Sequence, residues 1–293
     1  KMEFFEGFKS ILSLPNPILQ LIGLHLDARS LACFGATCHD AAVQVHEVLR
    51  VLKSVSFLPG RGSRGDGLPL ITALRSSTCV LLSREADGMS AISMLGRRCT
   101  SLVYLDLKNA FRWVDDAVLK CLSEAGPQTL RTLVLDHCDK ITDQGLQALC
   151  SHHSLLHGLA TLSIKSCGFR LGSGSSLAGL KHLTHLEAPW ATSFTSAGLA
   201  GVCPRLVHAN FQGCDLLDDH ICQGMTEVHT LNLAFTSVGD RGLAMLAQGS
   251  PKLASLYLGI RNNNIYTTGH YSEAALLAFA RTRPDIYLHL ISA

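Results

Sequence analysis

Charge is scarce in this chain. Only 16% of its 293 residues are Asp, Glu, Lys or Arg, against 47% hydrophobic, a balance that excludes an intrinsically disordered protein. The formal net charge is +2 and the 25 Lys and Arg are scattered, so no polyanion partner is implied and nucleic acid is not expected. Aromatic residues reach 6%, with two tryptophans, and no apolar run is long enough to span a membrane. The N-terminus KMEFFEGFKS lacks the apolar core and cleavage pattern of a secretory signal. The expected compartment is therefore the cytoplasm or nucleus, with an organelle left open because Lys1 precedes Met2.

Chemistry-bearing motifs are missing as well. The eleven cysteines are odd in number and form no CxxC pair, which points to reduced, mostly buried thiols. Cys150 with His152, His153 and His157 lacks the second ligand pair that a zinc site needs, so no metal and no cofactor is expected. The glycine-rich stretches 59–67 and 171–176 lack the Gly-Lys-Ser/Thr ending of a phosphate-binding loop. Arg64-Gly65-Asp66 reads as coincidence. No serine or cysteine lies in a GxSxG context, and no catalytic residue is assigned; the chain is not expected to be an enzyme.

What is present is a repeat. LRTLVLDHC from Leu130 recurs as LVYLDLKNA from Leu102, LATLSIKSC from Leu159, LTHLEAPWA from Leu183, LVHANFQGC from Leu206, VHTLNLAFT from Val228 and LASLYLGIR from Leu253. The starts lie 28, 29, 24, 23, 22 and 25 residues apart. An eighth strand is expected over residues 286–290. Earlier strands are expected from Ser54 (SVSFL) and Thr78 (TCVLLS), each followed by a helix. Second halves such as TDQGLQAL from Thr142 and TSAGLAGV from Thr195 open on a short polar residue that can cap a helix. A unit of one strand, one bend and one helix cannot bury its own apolar face, so such units stack.

These repeats resemble the cysteine-containing leucine-rich-repeat family, with Cys138, Cys167 and Cys214 at the bend. The resemblance implies an α/β solenoid over residues 53–293, with a curved parallel sheet inside and helices outside.

Residues 11–52 follow helical spacing instead. Leu14-Pro15, Ile18-Leu19, Ile22, Leu26-Asp27, Ser30-Leu31, Phe34 and Thr37-Cys38 resemble the F-box, with Ala41 where that family usually carries tryptophan. The resemblance implies an adaptor-binding helical module in which Leu14, Pro15, Ile18, Leu19, Ile22 and Leu31 make the contact. A helical cap on the solenoid is the alternative.

The combined expectation is a non-catalytic recognition protein, the substrate-receptor subunit of a cullin-RING ubiquitin ligase. Its partners would then be the ligase adaptor and a target protein. The alternative is a leucine-rich-repeat scaffold or assembly factor among the subunits of a larger, organellar complex.

Strand alternation turns the third, fifth and seventh residues of each repeat away from the core, and the eighth lies at the rim. The partner-binding candidates on this concave face and rim are Tyr104, Asp106, Lys108, Asp136, His137, Lys165, His185, Glu187, Trp190, His208, Asn210, Asn232, Phe235 and Tyr257. The insertion at 260–272 either folds over this face or stays solvated.

Overall fold

The computed structural model describes residues 54–56, 92–93, 95–97, 99, 101–111, 113–151, 154–167, 170–260 and 271–292. The F-box-like stretch 11–52 and most of the insertion, 261–270, lie outside them.

Nine parallel strands run in sequence order: β1 (Ser54–Ser56), β2 (Tyr104–Asp106), β3 (Thr132–Val134), β4 (Thr161–Ser163), β5 (His185–Glu187), β6 (His208–Asn210), β7 (Thr230–Asn232), β8 (Ser255–Ile260) and β9 (Tyr287–Ser292). The register puts the fourth residue of every repeat in one row: Leu105, Leu133, Leu162, Leu186, Ala209, Leu231, Leu256 and Leu288. The sixth residues form a second inward row. There the small Ala188 lies beside the large Phe211 of the next repeat, and both are fully buried, so a deficit of volume in one turn is filled from its neighbour.

β1 pairs directly with β2. The segment expected to form a strand from Thr78 lies outside the described residues.

The other side of the coil carries helices α1 (Asp116–Ala125), α2 (Asp143–Cys150), α3 (Ser196–Leu199), α4 (Asp240–Gly249) and α5 (Glu273–Thr282). Asp115, Thr142, Thr195 and Ser272 cap four of them through side-chain oxygens. The helix expected from Leu217 is a short 3₁₀ segment instead, Asp219–Gly224, the glycine-rich stretch 171–176 runs into a second one, Ser175–Gly179, and α3 is a single turn. The repeats concerned are the three shortest, at 24, 23 and 22 residues. A 3₁₀ segment rises about 2.0 Å per residue against about 1.5 Å in an α-helix, so it spans the return path with fewer residues.

Successive turns are tied together by aspartates on this side. Asp116 accepts from Thr142 N (2.7 Å) and Thr142 Oγ1 (2.6 Å). Asp219 accepts from Gly239 N and Gly242 N, and Asp240 from Ser272 N and Oγ. Each carboxylate thus satisfies donors at the next helix start that would otherwise be orphaned. Gly242 is a close-approach residue here, because a Cβ on it would come within 2.7 Å of Asp219 Oδ1.

Candidate functional site

The strands end in a bend whose geometry recurs. The eighth residue of six successive repeats, Asn109, His137, Ser166, Trp190, Gly213 and Phe235, has φ between +52° and +73°. In the first five of these its N–H donates to the seventh carbonyl of the next repeat, as from Trp190 N to Gln212 O at 2.7 Å. One residue later the bend cysteines reach back: Cys138 Sγ donates to Leu107 O (3.4 Å), Cys167 Sγ to Leu135 O (3.0 Å) and Cys214 Sγ to Ala188 O (3.3 Å). Each thiol therefore closes a sixth-position carbonyl of the preceding repeat. Burial pushes all three up to about 12, so they are neutral donors at physiological pH. The described cysteines are all free thiols.

On the concave face the fifth residue often turns onto its own strand. Asp106 Oδ1 accepts from Lys108 N (2.9 Å), Asn210 Oδ1 from Gln212 N (3.2 Å) and Asn232 Oδ1 from Ala234 N (3.0 Å), which satisfies the seventh-position N–H. Asp136 does this for the next repeat, accepting from Lys165 N (3.1 Å) and Ser163 Oγ (2.5 Å). Asp106 and Asp136, expected on an open surface, are each only 7% exposed. Their carboxylates are structural acceptors under Tyr104, whose hydroxyl is held above its usual range by burial first and then by these two acids.

The repeat starting at Leu183 breaks the pattern. Its seventh residue is Pro189, which has no N–H to satisfy, and Glu187 turns across the strands instead. Its carboxylate accepts from Asn210 Nδ2 (2.8 Å) and pairs with His208 Nε2. Burial alone would raise the Glu187 carboxyl, but the bonds from His208 and Asn210 outweigh it and hold the group below the ordinary range. His185 stacks on His208 at 6.0 Å between ring centroids, and Thr184 Oγ1 lies 2.9 Å from its Nδ1. Burial, and then the neighbouring His208, lower its basicity.

The structure thus gathers His185, Glu187, His208 and Asn210 into one network. Tyr104, Asp106, Lys108, Asp136 and Lys165 lie around the earlier strands. His137 is bend backbone, its N–H bonded to Lys165 O. Tyr257 stacks on His289 of β9 at 4.2 Å, a partner outside the seven LxxLxL matches. Among the described residues no three His, Cys, Asp or Glu side chains are placed to hold a metal, and no helix is long and apolar enough to cross a membrane.

At the rim, Trp190 and Phe235 stack at 6.5 Å with 17° between their planes. They belong to alternate repeats, and the eighth residue between them is Gly213. A Cβ there would fall 2.6 Å from Trp190 Cδ2, so the absent side chain is the space the indole occupies. Both aromatics are non-glycine residues in the left-handed region, at a cost of roughly 1–2 kcal/mol each. Trp190 is nevertheless 48% exposed, and Leu216 in the adjoining bend is 54% exposed. Gly213 and Leu216 were not among the expected site residues, because neither a φ value nor an exposure is written in a repeat motif.

The leucine-rich repeat family matches residues 126–150 and 225–247. Several solved structures are similar to this chain. A TLR13–ssRNA13 complex aligns at a TM-score of 0.52 with 14% identity, over 85% of this chain and 34% of that one. The yeast Rad7–Elc1 complex aligns at 0.44 with 16% identity, over 85% and 65%. An internalin, inlF, from Listeria monocytogenes aligns at 0.49 with 17% identity, over 84% and 62%. This chain thus spans less than two thirds of the length of each of the three. No curated protein matches at the sequence level. The fold is a leucine-rich-repeat solenoid, and the matching family is a structural repeat rather than a catalytic domain.

Proposed function

We propose that this protein is a protein-recognition subunit, and specifically the substrate receptor of a cullin-RING ubiquitin ligase. Residues Leu14, Pro15, Ile18, Leu19, Ile22 and Leu31 bind the ligase adaptor, and the concave face with its rim binds the target. Supporting it is one pairing: an F-box-like order of residues over 11–52 precedes a leucine-rich-repeat sheet whose solvent face carries organised polar and aromatic side chains. On this reading that face binds and does not catalyse. Its contribution is proximity, which raises the effective concentration of target beside a transferring enzyme.

The test is co-purification of the full chain with the adaptor. Changing Leu14→Glu and Ile18→Glu together abolishes recovery while the melting temperature stays unchanged; normal recovery by the folded double variant refutes the adaptor assignment. Ala41, where the resembled family usually has tryptophan, favours the alternative of a scaffold in a larger assembly. That reading is supported if neighbouring subunits, and no adaptor, come down with the chain.

A further inference from the structure

We propose that the Trp190–Phe235 stack is the anchor for an arginine side chain presented by the bound protein segment, and this inference rests on the recognition reading above. Four observations carry it. Both rings stand at the left-handed bend position that Asn109, Ser166 and Gly213 fill with small or turn-tolerant residues in other repeats, so the bend itself does not call for their bulk. Gly213 clears the space in which the indole reaches the phenyl ring, making one continuous platform across three repeats. The platform is open to solvent at Trp190, and Leu216, three residues after Gly213, is exposed as well.

The fourth observation is charge. The first eleven residues of the repeats starting at Leu183, Leu206 and Val228 contain two formal charges, Glu187 and Asp215, and neither Lys nor Arg. Glu187 lies three residues before Trp190 in the same turn, and Asp215 two residues after Gly213. Its network keeps Glu187 ionised at neutral pH. Within these turns the Asp, Glu, Lys and Arg charges are acids alone, the nearby bases being His208, paired with Glu187, and Lys165 of the preceding repeat. Aromatic rings in such turns attract a cation, and a guanidinium also stacks flat on a ring while donating to carboxylates. A nucleic acid would stack its bases on the same rings, but its phosphates would meet the two carboxylates of these turns.

The test uses the full chain immobilised and panned against a random peptide display library, with single-stranded oligouridylate titrated in parallel. Selected peptides should share an arginine, and resynthesis with citrulline at that position should weaken binding about tenfold. Trp190→Ala should weaken the arginine peptide by a similar factor and leave the citrulline peptide unaffected. Trp190→Phe, which keeps a ring, should retain most of the affinity, and melting curves confirm that each variant is folded. Peptides that show no arginine preference, or that bind Trp190→Ala and Phe235→Ala as tightly as the parent, overturn the anchor and leave the recognition reading standing. Oligouridylate binding that is lost in Trp190→Ala overturns it in favour of base stacking. A selection that returns no binder overturns the recognition reading and the anchor together.

Discussion

Replacing Gly213 with alanine tests whether the aromatic stack is built by the glycine between its rings. Alanine at φ +73° costs about 1 kcal/mol of backbone strain, partly offset by about 0.5 kcal/mol from a less flexible unfolded chain. The new Cβ would also collide with the indole, so Trp190 must swing off Phe235 and forfeit a stack worth roughly 0.5–1.5 kcal/mol. The net loss is about 1–2 kcal/mol, or a Tm lower by about 2–5 °C in a chain of this size. The assay is thermal unfolding with emission and near-ultraviolet dichroism, in a Trp113→Phe background that leaves Trp190 as the sole indole. Emission should shift to the red as the ring leaves its partner. Gly249→Ala is the matched control: nothing lies within 4 Å of a Cβ there, so it should be neutral or slightly stabilising. If Gly213→Ala melts with the control and the Trp190 spectra do not change, the ring does not lie over Gly213 and the platform argument fails.

Other outcomes follow from the same contacts. Cys167→Ala removes the donor from Leu135 O and leaves a small void, which should cost about 1–2 kcal/mol in urea unfolding, whereas Cys167→Thr, which keeps a donor, should cost less. Asp219→Ala strips the acceptor from Gly239 N and Gly242 N and should lower stability by about 1–3 kcal/mol, with hydrogen exchange accelerating first at the start of α4. The thiols of Cys138, Cys150, Cys167, Cys203 and Cys214 are pushed by burial from an ordinary 9.0 to about 12. Because the folded values are the higher ones, this stabilisation is complete below pH 9 and is lost as pH climbs from 9 towards 12, so equilibrium unfolding should show stability falling steadily across that window. His185 titrates below its ordinary 6.5 in the fold, so the unfolded chain takes up its proton first; stability should drop as pH falls below 6.5, and less so in His185→Gln.

Much of this was legible because apolar spacing and register are one fact. The fourth-position row from Leu105 to Leu288 follows from LxxLxL, and Asp115, Thr142 and Thr195 cap helices as short polar residues before an apolar run should. The type of helix was not legible, since a 3₁₀ segment and an α-helix share their caps and differ in how much chain the turn has left to spend. The burial of Asp106 and Asp136 was hidden too. Alternation says which way a side chain leaves the strand, while the groups that donate to Asp136, Ser163 Oγ and Lys165 N, come from the next repeat. Trp190 and Phe235 were visible as rim residues, but their meeting depends on a left-handed φ and on the glycine between them. The adaptor-contacting residues from Leu14 to Leu31 rest on resemblance alone, because they lie outside the described residues.

The way polar groups are spent on the concave face decides where a partner can gain most. Asp106, Asp136, Asn210 and Asn232 already accept from neighbouring backbone, and Glu187 is shared between His208 and Asn210. A ligand that engaged these atoms would have to replace bonds of equal quality, and such exchanges yield little net free energy. Apolar area behaves differently, because removing it from water is favourable without breaking anything. Trp190 is a large side chain left half open at the rim, and binding energy concentrates where a few such residues are enclosed by near-neutral polar contacts. On the recognition function proposed above, the sheet and the rim divide the task. The bonded strip fixes the shape and charge that a partner must match, so Asn210→Ala should relax selectivity more than affinity. Enclosure of the aromatic platform supplies the affinity, so Trp190→Ala should do the reverse.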